Sequence, residues 1–199
     1  MAAAAAEKRQ QLIEAAAGLF HRRGVAGTTI ADVAEEAGIA LGSVFYYFKT
    51  KDDLVAAVAE RRQGILTNLI ARREQQGTPH ERLASLIEVW ISDREVDALY
   101  GCPIGSFYFE LARARGPLAP LAVEPFRELL QWCERQFRDM GVTDGANRHA
   151  LHLVSSLQGI SLVAAVFADP EMILREANHQ QGWLNEIGLR RAQDRRKAG

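Results

Sequence analysis

Residues 28–51, TTIADVAEEAGIALGSVFYYFKTK, leave the chain few ways to fold. Thr29 is placed to cap a helix that begins at Ile30, and Ile30, Val33, Ala34 and Ala37 recur on one face at the 3.6-residue period. Gly38 follows at once, where a chain leaving a helix commonly enters the left-handed region that glycine adopts without steric cost. After Ile39 and Ala40, the piece Leu41 to Tyr47 falls well short of the roughly 12 residues that an isolated helix needs in water. It must therefore be held by packing, through Val44 and Phe48. Its other side presents Leu41, Gly42, Ser43, Tyr46 and Tyr47, with Tyr47 taken as the more outward of the two tyrosines.

Two short helices joined by a glycine turn, the second carrying small residues and hydroxyls on its free side, form a helix-turn-helix, the unit that sets its second helix in the major groove of DNA. Small residues let a backbone come close, and hydroxyls donate to phosphate oxygens. Lys51 heads the next helix, an unfavourable place for a cation unless an anion such as phosphate compensates.

The stretch resembles the TetR family of one-component transcriptional repressors. The residues that carry the resemblance run from Leu12-Ile13-Glu14-Ala15-Ala16 and Leu19-Phe20 through Gly24, Thr28-Thr29-Ile30 and Ile39-Ala40-Leu41-Gly42-Ser43 to Phe45-Tyr46-Tyr47-Phe48-Lys49-Thr50-Lys51-Asp52-Asp53-Leu54, about the first quarter of the chain. The resemblance implies an all-α fold: an N-terminal three-helix helix-turn-helix DNA-binding domain over residues 1–50, then a helical effector-binding and dimerisation domain over 51–199. It also implies a homodimer on a double-stranded DNA operator and a small-molecule effector. Carried over position by position, it points Thr29 and Lys51 toward phosphates, Ser43 and Tyr47 toward the groove and Tyr46 toward the backbone, with Leu41 and Gly42 beside them. Leu41 stands where a basic residue is frequent, Phe45 where tyrosine is frequent and Tyr47 where histidine is frequent, so base preference is this chain's own.

Composition is compatible with that and adds little. The 199 residues are 48% hydrophobic and 25% charged with a net charge of −1, so no global basic field announces nucleic acid. Within residues 1–51, Lys8, Arg9, Arg22, Arg23, Lys49 and Lys51 outnumber the carboxylates by one. Basic groups must act by placement rather than by excess. The sequence is read as holding no charge-free apolar run of about 18 residues, hence no membrane span, and Met1 to Ala6 as too short for a secretory signal; both point to a cytoplasmic protein. Cys102 and Cys133 form no disulfide framework. No nucleophile elbow, phosphate-cradling glycine loop or zinc signature is present, so neither an enzyme nor a cofactor is expected. His149 and His152 stand three apart, but no third ligand accompanies them, so no metal is expected.

The remainder reads as helices over 8–23, 51–75, from Pro79 after the cap Thr78, 101–115, to about Met140, 147–168 and from Pro170 onward. Leu153, Leu157, Ile160, Ala164, Ile173, Ala177, Leu184 and Ile187 in the last two are assigned to the four-helix dimer interface that the resemblance implies, the alternative being a monomer core. Gly101-Cys102-Pro103-Ile104-Gly105 resembles a Gly-Cys-x-x-Gly segment of a subgroup that includes sensors of electrophiles. Cys102 is either a thiol activated at a helix N-terminus or a small buried hydrophobe. Trp90, Phe107, Tyr108, Phe126 and Trp132 are candidate walls of an effector pocket, with Tyr108, His152 or Gln158 as polar handles and Cys102 as the candidate electrophile contact. The basic tail Arg190, Arg191, Arg195, Arg196 and Lys197 reads as a solvated end. The other readings of the whole are a helical small-molecule-binding module without operator binding, and an activator rather than a repressor.

Overall fold

The structure, a computed structural model, describes residues 2–198 and the side chains of residues 4–190, and among these it contains helices and no strand. The helices are α1 (Ala2–Arg23), α2 (Ile30–Glu36), α3 (Leu41–Tyr47), α4 (Lys51–Glu74), α5 (Pro79–Tyr100), α6 (Pro103–Ala114), α7 (Val123–Asp139), α8 (Ala146–Phe167) and α9 (Pro170–Ala198), with a 3-10 turn at Ala119–Ala122 before α7. The α1 helix begins earlier than the apolar stripe requires, because its first five residues are alanine, the strongest helix former.

Helix starts are written into the chain. Thr29 accepts from the Asp32 amide while the Asp32 carboxylate accepts from the Thr29 amide, and Thr78 and Glu81 close the same reciprocal cap on α5. Thr50 and Asp53 repeat it at the head of α4, with bonds of 2.9 and 3.1 Å. Pro125 sits in the first turn of α7, where the missing N–H costs nothing. Ala168 ends α8 in the left-handed region at φ 51°, an unusual conformation for a residue with a side chain.

The chain divides into two compact units, residues 1–65 with 103–124, and residues 66–102 with 125–199. The first joins α1 to α3, most of α4, and α6. Its core is built from Leu12, Ile13, Leu19, Phe20, Val33, Val44, Phe48, Leu54, Val58 and Phe107. These cuts fall elsewhere than residue 50, because packing assigns α6 to the N-terminal helices.

In the second unit α5 packs on α8 and α9, and α8 on α9. Leu83, Ile87, Trp132, Phe137, Leu153, Leu157, Ile173 and Leu184 fill its core. Here the structure corrects the interface assignment: Leu153, Leu157, Ala164, Ile173, Ala177 and Leu184 are all 0% exposed inside one protomer, and Ile160 and Ile187 are half-buried. Side chains already enclosed cannot meet a partner. The apolar face left open on α8 is a different one, Leu151, Leu162, Val163, Val166 and Phe167, interrupted by the small residues Ser155 and Gly159. The reading that no long charge-free apolar run exists is corrected too. The α8 helix is long and apolar enough to cross a membrane by length and composition, although its buried stripe packs within the unit. Of the basic tail, the side chains after Arg190 lie outside the described residues.

Candidate nucleic-acid interface

The α3 helix has seven residues and no side-chain cap at Ala40, so its own ends do not hold it. Val44 and Phe48, 0% and 2% exposed, anchor it, and α2 packs alongside. Lys49 Nζ donates to the Phe45 carbonyl at 2.8 Å and so completes the C-terminal turn with a cation, which suits the negative end of the helix.

That anchoring decides what faces outward. Leu41, Gly42 and Ser43 are exposed, and Tyr46 is 74% exposed. Tyr47 is half-buried, and its ring meets that of Tyr46 edge-on at 5.0 Å between centroids. The expectation that Tyr47 is the more outward tyrosine is therefore corrected. Tyr47 lies three positions after the buried Val44 and shares its face, whereas Tyr46, two positions after it, points to the far side. Phe45, 43% exposed, belongs to the same outer surface and is missing from the sequence-derived set. The helical period counted from Val44 contains the signal that finds it.

Thr29 and Lys51 flank this surface. The Thr29 hydroxyl donates to Asp32 Oδ2 at 2.7 Å and accepts from the Asp32 amide at 3.1 Å, so its first duty is to cap α2. The hydrogen bonds from the Thr29 side chain and backbone hold the Asp32 carboxyl below the usual carboxylate range, helped by the positive charges of Arg23 and Lys51. Arg9 lies over the Phe48 ring at 5.2 Å, and Arg22 pairs with Glu36 at 2.7 Å.

The residues assigned to an effector are not gathered in one place. Trp90, Cys102 and Gln158 come together in the second unit. The Trp90 indole donates to Ser161 Oγ at 3.0 Å, Ser161 Oγ donates to Asp97 Oδ2 at 3.2 Å, and Gln158, one turn earlier on α8, donates to Cys102 Sγ at 3.6 Å. Asp97 is 3% exposed, and burial pushes its carboxyl up to about 6, only partly countered by Ser161. Neither Asp97 nor Ser161 belongs to the expected set; a lone aspartate on the apolar face of α5 is the available sign.

Phe107 and Tyr108 belong to the first unit. Phe107 stacks on Phe20 at 6.1 Å and beneath the Arg62 guanidinium at 4.5 Å, while the Tyr108 hydroxyl donates to the Ala59 carbonyl at 2.9 Å. Burial raises that phenol to about 12. On α7, Phe126 is half-buried and Trp132 is fully enclosed. His152 is exposed against the Trp183 ring at 4.7 Å. Cys133 is enclosed, and burial pushes its thiol up to about 12, which disfavours the nucleophilic thiolate. A cleft of about 710 Å³ is lined by Thr78, His80, Glu81, Asp139, Met140 and Asn185 among others, none of them in the expected effector set.

Known proteins add to this geometry. The sequence pattern of the family described as bacterial regulatory proteins, tetR family, matches residues 12–58. The HTH-type transcriptional regulator TtgR of Pseudomonas putida is 48% identical over 56 residues, 28% of this chain and 27% of that protein, so the match spans about a quarter of the relative's length. An uncharacterized HTH-type transcriptional regulator of Lactococcus lactis is 25% identical over 172 residues, covering 81% of this chain and 85% of its own. Among solved structures, the TetR-family regulator SCO4454 of Streptomyces coelicolor superposes with a TM-score of 0.79 at 17% identity, covering 92% of this chain and 97% of that one. A TetR-family regulator of Agrobacterium tumefaciens gives 0.79 at 22% identity, over 92% and 98%. These two show the shared fold of α1 to α9, and the N-terminal match shows the shared reading unit. With an outward-facing α3 seated on Val44 and Phe48, residues 12–58 match the tetR family of bacterial regulatory proteins, and the chain as a whole shares the fold of solved TetR-family regulators.

Proposed function

We propose that the chain is a cytoplasmic, homodimeric, DNA-binding transcriptional repressor that leaves a near-palindromic operator when a small molecule or an electrophile binds. The observation that carries the reading is the exposed row Leu41, Gly42, Ser43 and Tyr46 on a short helix whose opposite side is buried. In this reading Gly42 and Ser43 allow close approach to base edges, and Leu41 offers an apolar contact to a thymine methyl. Tyr46 reaches the strand backbone, Lys51 neutralises a phosphate, and Thr29 joins them if its hydroxyl turns from Asp32. Tyr47 supports Tyr46 from the flank.

Two reading helices engage successive major-groove faces when held about 34 to 36 Å apart, which requires a dimer. The open face of α8, with Leu151, Leu162, Val163 and Val166, is accompanied on α9 by the exposed Asn178, Gly182 and Leu189. A Cβ added at Gly159 or Gly182 would meet nothing within 4 Å inside the protomer, so these positions are free for a neighbouring helix to come close. Packing two such faces makes a four-helix interface on the side opposite to the one read from sequence. The effector reading rests on the Trp90, Asp97, Ser161, Cys102 and Gln158 cluster, and a coupling of about 1 to 3 kcal/mol suffices to lower operator occupancy roughly 5- to 150-fold. The name of one relative, the transcriptional repressor KstR2 of Mycobacterium tuberculosis, favours repression over activation.

Selection of bound duplexes from a random pool, followed by gel shift and sedimentation, tests the reading. The expected result is an enriched near-palindrome that binds two protomers. No enrichment would leave a helical binding module without an operator, and a single protomer per site would reject the dimer. A compound screen for release of the selected duplex then tests effector control.

A further inference from the structure

The turn between α1 and α2 depends on a residue more than eighty positions away. The chain leaves α1 at Arg23, and Gly24, at φ +75°, sends its amide back to the Phe20 carbonyl at 3.0 Å. The next two amides do not return to α1. Val25 N donates to Glu110 Oε2 at 2.7 Å and Ala26 N to Glu110 Oε1 at 2.6 Å, so one carboxylate on α6 takes both. Gly24 leaves room for it: a Cβ there would stand 3.1 Å from Glu110 Oε2. The turn then closes through the Thr28 hydroxyl, which donates to the Gly24 carbonyl at 2.8 Å with Thr28 fully buried, and Thr29 directly begins the cap of α2.

A contact through one oxygen fixes a distance, whereas a fork through two oxygens also fixes the orientation of the peptides that it holds. The α6 helix is itself seated, with Phe107 against Phe20 and Arg62 and with the Tyr108 hydroxyl on Ala59. We infer that Glu110 is a positioning residue for DNA reading: from α6 it sets the turn from which α2 departs, and thereby the presentation of the α2–α3 pair. The inference rests on the DNA-binding reading above and deepens it, since it places a determinant of operator affinity on a helix that offers no residue to DNA.

The test uses the full-length protein and three measurements on Glu110→Ala and Glu110→Gln. Amide hydrogen exchange at Val25 and Ala26 is expected to speed up about tenfold in Glu110→Ala, the consequence of losing charge-assisted bonds, with Phe107 and Leu111 exchanging at wild-type rates. Binding to the selected duplex is expected to weaken about tenfold, while binding to an unrelated duplex and the salt slope stay unchanged because no phosphate contact is removed. Glu110→Gln keeps one acceptor oxygen and should fall between, and it decides the matter if Glu110→Ala does not fold. Unchanged exchange at Val25 and Ala26 would overturn the fork. Faster exchange with an unaltered ratio of selected to unrelated binding would reduce Glu110 to a staple and overturn the positioning role. A wild-type protein that enriches no duplex sinks the DNA reading and this inference with it, whereas wild-type enrichment with equal binding by the variants sinks the inference alone.

Discussion

The α3 and α8 helices solve opposite problems. The α3 helix is short, and the first unit buries one side of it through Val44 and Phe48 and leaves polar and aromatic groups outside. The α8 helix is long, encloses Leu153, Leu157 and Ala164 within its own unit, and still leaves Leu151, Leu162, Val163, Val166 and Phe167 open. An exposed face of hydroxyls and small residues can stay wet until it meets a ligand. An exposed apolar face of this kind is the ground for the proposed dimer, because monomers seldom leave large contiguous apolar patches in water. The contrast teaches that burial and contact with partners are separate questions: in the proposed reading the functional face of α3 is the one that packing rejects, and the same rule is applied to α8 although both of its faces are apolar.

The largest expected effect breaks this contrast from the α8 side. Leu162→Glu with Val166→Glu should raise the dissociation constant of the proposed dimer at least about a hundredfold while the monomer stays folded, as read by sedimentation equilibrium and far-ultraviolet circular dichroism. Its counterpart, Leu157→Ala on the enclosed face, should cost about 2 to 5 kcal/mol of stability in chemical denaturation with the association constant of the folded protein preserved. If the two variants exchanged phenotypes, the assignment of faces would be reversed.

An intermediate effect concerns the buried acid of the second unit. Asp97 has its folded value raised to about 6 from an ordinary 3.8, so the folded state holds the proton more tightly. The stability this contributes is fully present below the ordinary value and is lost as pH rises through about 6. Asp97→Asn, which carries no charge at any pH, should therefore be the more stable protein at about pH 7.5, by up to about 3 kcal/mol, with the advantage gone near about pH 4. Melting temperatures across that range check it, and a parallel pair of curves would refute it.

The smallest expected effects lie at the reading end. Lys51→Ala should weaken binding to all duplexes alike and flatten the salt slope by about one, whereas Ser43→Ala should shift base preference by about 1 to 3 kcal/mol at one position. Salt titrations on selected and scrambled duplexes separate the two.

The same contrast explains how much the sequence disclosed. The reading segment is legible down to its cap, since Thr29, Gly38 and the Val44 to Phe48 anchor act locally, and helix starts at Thr78-Pro79 and Asp169-Pro170 follow from the same chemistry, whereas the return bond from Asp32 is seen in the structure. The faces of α8 are not legible. A helix apolar on nearly every side yields a stripe from its period, but the period does not say which neighbour covers it, and the stripe read from sequence is the inner one. The outward tyrosine lies within reach of the period, and family habit points to the wrong member of the pair. Long-range polar contacts such as Glu110 on the Val25 and Ala26 amides leave no local trace, because neither end shows an irregular composition.

The alanine that closes α8 has a consequence for how this corner can drift. At φ 51° its methyl group costs roughly 1 to 2 kcal/mol, a strain that glycine would lift. Glycine would in turn give the denatured chain more freedom, worth about 0.4 to 1 kcal/mol. The strain relief is the larger of the two, so glycine at position 168 should leave the bend from α8 into Asp169-Pro170 in the same shape and the folded chain more stable by roughly 1 kcal/mol.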